Sequence, residues 1–469
     1  MLPFEEVAVM DKNAEYRGIP PKELMENAGK KLAEVISNKF SERPVLFICG
    51  TGNNGGDAYV SGRYLRRRWK SADIMVHLIK SRENIRSDIA AENFEEFEGK
   101  VVKELEWSDI DKNTIIVDAM LGTGVKGEIR EPYRSIIEKI NELENPVVSV
   151  DVPSGLGSDI QVHPQITVTF HDAKEGMTLE NSGRIEIKDI GIPEKAVDHT
   201  GPGEMLLYPR AKSDSHKGEN GRVLIVGGGP YTGAPALAGK AAYRTGVDLV
   251  HLAVPSSIAD TVSGYSPDFL VHSLEGDILV EEHVEKIRSI SEDCDAAIIG
   301  PGLGDDEKTL EAVEDLIEKI DIPMVIDADA LKAFYEEIEI SSETVLTPHR
   351  GEFEMLIDED IEEELAEKAD EFAASNSVSI FLKGKKDYIT DGESYRWNDF
   401  GNVGMTVGGT GDTLSGVIGA MLSKGTDAFN AGRLGAYMTC RAGDKAFEEV
   451  RWGLIPEDII ERLPELFDE

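Results

Sequence analysis

The strongest constraint on this chain is an alternation that it carries twice. Short apolar or β-branched runs, "PVLFICG", "DIMVHLI", "TIIVDAM", "PVVSVDV" and "QITVTF", are separated by helix-like stretches such as "DAYVSGRYLRRRW" and "EPYRSIIEKINELE". The second half repeats the style with "GRVLIVGG", "DLVHLAVP", "DAAIIGPG", "PMVIDADA" and "SIFLKG". Strand-length runs alternating with helices specify parallel sheets covered by helices on both faces. An α/β protein is therefore expected. At 469 residues the chain exceeds one usual core, so two domains are expected. The polar, glycine-bearing segment Tyr208 to Gly221, "YPRAKSDSHKGENG", reads as the linker. The halves share no motif order, which argues against a duplication.

Charge narrows the partners. Acidic residues number 89 against 49 basic ones, a formal net charge of -40, which repels nucleic acid and anionic membranes. Patches such as "IDEDIEEELAEKADE" read as solvated helix surface and as adaptation to a salty cytoplasm. Cys49, Cys294 and Cys440 lie far apart and form no disulfide or metal framework. No apolar run approaches the roughly 20 residues of a membrane span, and the start "MLPFEEVAVMDKNAEYRG" lacks a signal pattern. A reducing cytoplasm is the expected location, and a homo-oligomer the expected state. Tyr64, Trp69 and Trp107 are expected to pack rather than to stack on bases.

Glycine gathers where these strands end. Gly401 to Met421, "GNVGMTVGGTGDTLSGVIGAM", sets seven glycines and one aspartate before an apolar run. Glycine lets backbone approach a ligand closely. A helix is expected from Gly411 or Asp412, with the amides of Gly408, Gly409, Thr410 and Gly411 forming an anion cradle at its positive end. Asp412 is then either an ordinary N-cap or a base beside a transferring phosphoryl group.

In the first half, "GTGNNGGD" runs from Gly50 to Asp57 between a strand and a helix. Gly50, Gly52 and Gly55 satisfy GxGxxG, but the acidic residue that should close the next strand is missing, so a standard dinucleotide site is doubtful. Asn53 and Asn54 add amides and Asp57 a charge, which a capped turn also explains. "VDAMLGTGVKGE" puts Asp118 at one strand end, with Gly122, Gly124 and Gly127 around Lys126, and "SVDVPSG" puts Asp151 and Ser154 at the next. Such ends converge on one crevice. There Asn54, Asp118 and Ser154 offer oxygen to a hard cation.

Taken in order, "LMENAG", "GNNGGDAYV", "VDAMLGTGVKGE" and "DVPSG" resemble the YjeF N-terminal family, epimerases of hydrated NADH and NADPH. "HKGENGRVLIVGG", "YTGAPALAG", "GPGLG", "IDADAL", "TPHRGEFEML", "FLKG" and "GMTVGGTGDTLSG" resemble the hydrate dehydratases of the ribokinase-like superfamily. The two resemblances cover nearly the whole chain. They imply a Rossmann-like three-layer sandwich over residues 1–210, and a ribokinase-like α/β domain over 211–469.

The implied substrates are NADH hydrate, NADPH hydrate and ADP. Hydrated NAD(P)H carries a hydroxyl at ring carbon 6 in R and S forms. By resemblance, the first half interconverts them, and the second passes the β-phosphoryl of ADP to the S hydroxyl and expels phosphate. Asp412 would be the base, and Gly408, Gly409, Thr410 and Gly411 the cradle. Lys383, Gly384, Lys385, Lys386 and Asp387 match nucleotide-binding positions, while Ala234, Gly302, Gly304 and His349 match hydrate-binding ones. In the first half, Asn53, Asn54, Gly55, Gly56 and Asp57, then Gly122, Thr123, Gly124, Val125, Lys126, Gly127 and Glu128, and Asp151, match hydrate-binding segments. Asn54, Asp118 and Ser154 match potassium ligands, and magnesium is expected with the nucleotide. Asp118 and then Asp151 are the candidates for the epimerase's catalytic group. Ala58 and Val403 stand where the families carry glycine and proline, changes that bear on loop stiffness. Two rival readings remain: a kinase of a vitamin-type alcohol, and a first half that only senses nucleotide.

The charge yields a first prediction. Self-repulsion at -40 is screened over a Debye length of about 10 Å at 0.1 M salt, so the melting temperature should rise with added potassium chloride. A melting temperature unchanged between low and molar salt would reject this.

Overall fold

The computed structural model describes residues 1–468, apart from 125, 126, 336, 337, 339, 341 and 362. It divides into two compact units, Met1–Val197 and Asp198–Glu469.

Seven strands form the sheet of the first unit. They are β1 (Val45–Cys49), β2 (Ile74–Leu78), β3 (Lys100–Val102), β4 (Ile115–Ala119), β5 (Val147–Val150), β6 (Ile166–Phe170) and β7 (Arg184–Lys188). Their order is β3-β2-β1-β4-β5-β6-β7, with every neighbouring pair parallel. Strand side chains alternate between faces: Val45, Phe47 and Cys49 of β1 enter one core layer, and Leu46 and Ile48 the other. Such a two-faced apolar strand needs helices on both sides. Three bear on the site: α1 (Phe4–Tyr16), α2 (Pro21–Lys39) and α3 (Asn53–Arg68). Strand order reverses between β1 and β4, which opens the crevice where ligands of open parallel sheets sit.

Nine strands form the second sheet. They are β8 (Arg222–Val226), β9 (Leu249–Pro255), β10 (Leu270–Leu274), β11 (Ala296–Ile299), β12 (Met324–Ile326), β13 (Thr344–Leu346), β14 (Ser379–Leu382), β15 (Asp387–Thr390) and β16 (Tyr395–Asn398). The order is β10-β9-β8-β11-β12-β13-β14-β15-β16, parallel up to β14 and antiparallel across β15 and β16. Its reversal lies between β8 and β11. Val223 and Ile225 face one core layer, Leu224 and Val226 the other.

The strands expected from the sequence all form. Those not expected are edge strands such as β3, β7 and β10, whose side chains are partly exposed, the three-residue β13, and the hairpin β15–β16. Trp69 is buried, and Tyr64 and Trp107 pack against the cores. Residues 198–210, read above with the first domain, pack with the second unit. Thr200 hydrogen-bonds Asn398 at 2.7 Å, and Glu204 meets Arg433 at 2.8 Å with both side chains buried. The segment Tyr208 to Gly221 therefore lies inside the second unit.

That ion pair supports a test. Arg433→Met leaves the Glu204 carboxylate buried without its guanidinium, a change that typically costs about 3–5 kcal/mol. Equilibrium denaturation should show a loss of this size, and a loss below about 1 kcal/mol would mean that water or other donors replace the arginine.

Candidate active sites

The first site grows from four neighbouring strand ends. After β1 the chain must pass the β4 loop, and a Cβ on Gly50 would fall 1.8 Å from the Met120 carbonyl. Only glycine fits there. α3 then begins at Asn53. Gly55 and Gly56 are buried in its first turns, where added Cβ atoms would strike Gly50 and Met25. They serve close packing.

Asn53, Asn54, Asp57, Gly122, Thr123, Gly124 and Asp151 line a cavity of about 440 Å³, a size that suits a small-molecule ligand. Gly127 and Glu128 are exposed and are not among its lining residues. Val125 and Lys126 lie outside the described residues.

Asp118 and Ser154 stand behind this wall. Asp118 has no exposure, and both its oxygens are committed. One accepts from the Ser154 hydroxyl at 2.5 Å and the Met120 amide at 3.4 Å; the other accepts from the Ser149 hydroxyl at 2.8 Å and the Ser154 amide at 2.9 Å. Burial raises its pKa above the ordinary value, although these bonds pull it down. The side chain is not among those lining the cavity. The Asn54 amide nitrogen donates to the carbonyls of Val150 at 3.0 Å and Leu121 at 3.3 Å.

Asp151 does face the cavity, and its backbone is left-handed, with φ +63°. His171, also on the wall, has φ +66°. Such angles in residues other than glycine are costly and concentrate at functional sites. Lys174 is 1 % exposed and donates to Asp151 at 2.5 Å, the Phe170 carbonyl at 2.7 Å and Thr169 at 3.0 Å. Asp57 from α3 and Asp11 from α1 complete the polar wall. Burial, then the charge of Asp151, pushes Asp11 up to about 6. Burial, then the charges of Asp151 and Asp11, holds Asp57 well above the usual carboxylate range.

The second site lies at the ends of the β8–β14 strands. A helix runs over Thr410–Ser423, starting one residue before the expected Gly411. Its N-cap is Gly409, with φ +97°, an angle that favours glycine. Asp412 is thus inside the first turn and is not the cap. A helix start leaves its first amides without intrahelical partners, and the Thr410 hydroxyl pins the turn through the carbonyls of Met405 and Val407.

Facing this turn is a buried ion pair. Asp327, after β12, is 2 % exposed and accepts from Lys383 at 3.0 Å, Thr347 at 2.6 Å and Ser415 at 2.5 Å. Burial opposes its ionisation, but the Lys383 ammonium and the two hydroxyls hold its pKa below the ordinary value. Asp412 is pushed up to about 6 by burial and by the Asp327 charge, with Lys383 pulling the other way.

The remaining second-site residues fall nearby. Gly302 and Ala234 are adjacent, since a Cβ on Gly302 would lie 3.1 Å from the Ala234 methyl. The Gly304 amide donates to Asp329. His349 bridges to Lys383 through the backbone and caps the helix Arg350–Leu356 through Nδ1. Lys385 and Lys386 are exposed, whereas Asp387 closes their turn by accepting from the Gly384 amide at 3.1 Å and Asn398 at 2.9 Å.

Two family models divide the chain as these sites do. Residues 21–176 match the YjeF-related protein N-terminus, and residues 223–465 match NAD(P)H-hydrate dehydratase. The bifunctional NAD(P)H-hydrate repair enzyme Nnr of Methanothermobacter thermautotrophicus is 39% identical, covering 99% of this chain and 94% of its own. The Archaeoglobus fulgidus enzyme of that name is 38% identical, over 98% and 97%. The chain belongs to the bifunctional NAD(P)H-hydrate repair enzyme family. A ribokinase-like superfamily protein from Enterococcus faecalis shares the second fold, with a TM-score of 0.52 and 24% identity over 58% of this chain and 95% of its own.

In this member of the repair-enzyme family, sequence reading missed Asp11, Lys174, Asp327 and His171 as site residues. Asp11 lies on a helix that precedes the matched residues 21–176. Lys174 and Asp327 follow strands that were read correctly, and the rule that such ends converge would have found them.

The Lys383–Asp327 pair can be tested by pH. In Lys383→Met the Asp327 carboxylate loses its ammonium, at a cost of about 3 kcal/mol, the low end for a buried pair because Lys383 is partly exposed. The wild-type Asp327 pKa is depressed, so its contribution is present above the unfolded value of about 4 and is lost only below it. The variant's carboxyl, raised by burial, takes a proton sooner. The stability gap should therefore narrow from pH 7 to pH 5, and a constant gap would contradict the assignment.

Proposed function

We propose that this chain repairs hydrated NADH and NADPH. The first unit interconverts the R and S hydrates, and the second converts the S hydrate and ADP to NAD(P)H, AMP and phosphate. One observation carries the reading of the second site: an aspartate with a pKa of about 6 in the first turn of a glycine-capped helix, beside a lysine fixed by a buried carboxylate.

Hydroxide leaves poorly from carbon 6, and phosphate leaves well. Asp412 takes the hydroxyl proton while the oxygen attacks the β-phosphorus of ADP and AMP departs. Amides of the Gly408 to Gly411 turn stabilise the charge on the transferring group, and Lys383 offers its ammonium to the phosphates. The C6–O bond then breaks, pushed by the ring nitrogen's lone pair, and loss of a C5 proton restores the dihydropyridine. A base works best with its pKa near the working pH.

Potassium fits the first unit. Asn54, Asp118 and Ser154 present an amide, one carboxylate and a hydroxyl beside the Leu121 and Val150 carbonyls, an oxygen set of low charge that suits a monovalent ion. They would hold it, and its charge would offset the buried Asp118 carboxylate. Among the described residues no three His, Cys, Asp or Glu side chains gather as a metal cage. Magnesium would accordingly be carried on the nucleotide phosphates, as is usual for that ion, and no step here depends on it.

Mixed R and S hydrate, incubated with the protein, ADP and magnesium, should recover its full reduced-nicotinamide absorbance. Half recovery would remove the epimerase, and a stable phosphorylated product would replace the dehydratase with a kinase. Asp412→Asn should fold normally, because Asp412 is not the cap, and should slow recovery about 10²–10⁴-fold. Interconversion of R and S should be untouched. In the wild type, S-hydrate dehydration should fall below pH 6 as Asp412 gains its proton.

A further inference from the structure

The carboxyls of the first site are in two different conditions. Asp118 spends its oxygens on four donors, and Asp151 is held by Lys174. Lys174 has no proton to spare, since its three donors go to Asp151, Thr169 and the Phe170 carbonyl. Asp57 is only 7 % exposed and lines the cavity. Among the described residues no hydrogen bond reaches its carboxyl or that of Asp11, which lines the same cavity. Burying a polar group without a partner costs free energy. Asp57 is buried and Asp11 half-buried, with oxygens open to the cavity rather than sealed behind it, and two carboxyls so placed point to a ligand that supplies the partner.

We propose that Asp11 and Asp57, which line one cavity wall, serve as the acid and base of the epimerisation, with Asp11 a catalytic residue contributed by the N-terminal helix α1. This rests on the epimerase reading of the first unit. Asp57 feels the charge of Asp11, both feel those of Asp151 and Lys174, and among the described residues His171 is the remaining titratable group on the wall. Like charges on one wall resist ionising together, so between their two protonations the pair holds one acid and one base, the arrangement that divides labour between neighbouring carboxyls.

The chemistry needs both. The protonated member gives its proton to the C6 hydroxyl, the C6–O bond breaks with the ring nitrogen's lone pair, and water departs from an iminium ring. Asp151, fixed by Lys174, keeps negative charge beside that cation. Water then adds to the opposite face of C6 and yields its proton to the ionised member. One proton has moved from one aspartate to the other, the hydrate has inverted, and nothing else is consumed. The return reaction uses the same two groups with their states exchanged.

The test uses the full chain and chromatography that resolves the epimers, with the spontaneous rate subtracted. A wild type that does not interconvert R and S sinks the epimerase reading itself. If the wild type interconverts them, Asp11→Asn should slow interconversion at least about 10²-fold, while ADP-dependent dehydration of pure S hydrate is unchanged. Asp11→Glu should restore part of the rate. Asp11→Asn within threefold of wild type, and folded, overturns the proposal and leaves the epimerase reading standing. Should that variant not fold, the wild-type pH profile decides. The pair needs one ionised member, so the rate should drop about tenfold per pH unit below pH 6, and a flat rate from pH 7 to pH 5 overturns it.

Discussion

Each unit buries an aspartate at the carboxyl end of a parallel strand and answers it with one lysine. Asp151 follows β5 and meets Lys174 after β6; Asp327 follows β12 and meets Lys383 after β14. An isolated buried charge costs several kcal/mol, and a lysine alone repays this only if hydroxyls and carbonyls satisfy the remaining lone pairs and protons. Thr169 and the Phe170 carbonyl do this in the first unit, Thr347 and Ser415 in the second. The consequence reaches the neighbours. Burial first, and then the charge of the fixed aspartate that one cation does not cancel, raises the pKa values of Asp11, Asp57 and Asp412 above the ordinary range. A fixed pair beside a titratable carboxyl is the common plan of both sites.

How much of this could be read from residues alone follows from what patterns record. Central strands such as β1 and β8 are apolar on both faces and stood out; β7, "RIEIK", alternates at an edge and did not. Glycine turns were legible because close approach, as at Gly50, and left-handed backbone, as at Gly409, leave glycine as the fitting residue. The residues place Asp118 at a strand end, where it is expected as a cation ligand or catalytic group, but the four donors that hold it behind the cavity wall are visible only once β4, β5 and the Ser154 turn are assembled. Lys174 sits in "FHDAKEG", which carries no signature by itself. Its meaning arises 23 residues from Asp151, where the fold closes the pair.

The same chain sets its charge to two opposite uses. The surface excess of carboxylates is solvated, and ion pairs such as Lys112–Glu144 are exposed on both sides and contribute little to stability. Inside, few cations are spent, each against a carboxyl already deprived of water. Salt should therefore act on the exterior and leave the interior pairs, which it barely screens.

Hydrogen-bond satisfaction then separates carboxyls that hold the structure from those free to do chemistry. Asp387, which the resemblance implies for nucleotide binding, has its oxygens taken by Gly384 and Asn398, so it closes the turn that carries Lys385 and Lys386. His349 likewise spends Nδ1 on capping its helix, leaving only Nε2 for a ligand. Asp118 and Asp327 are committed in the same way. A committed carboxylate keeps its charge and place, whereas a group that must gain and lose a proton in each turnover cannot be tied to several donors that favour one state. Asp412 in the second unit and Asp11 with Asp57 in the first meet that condition within their sites.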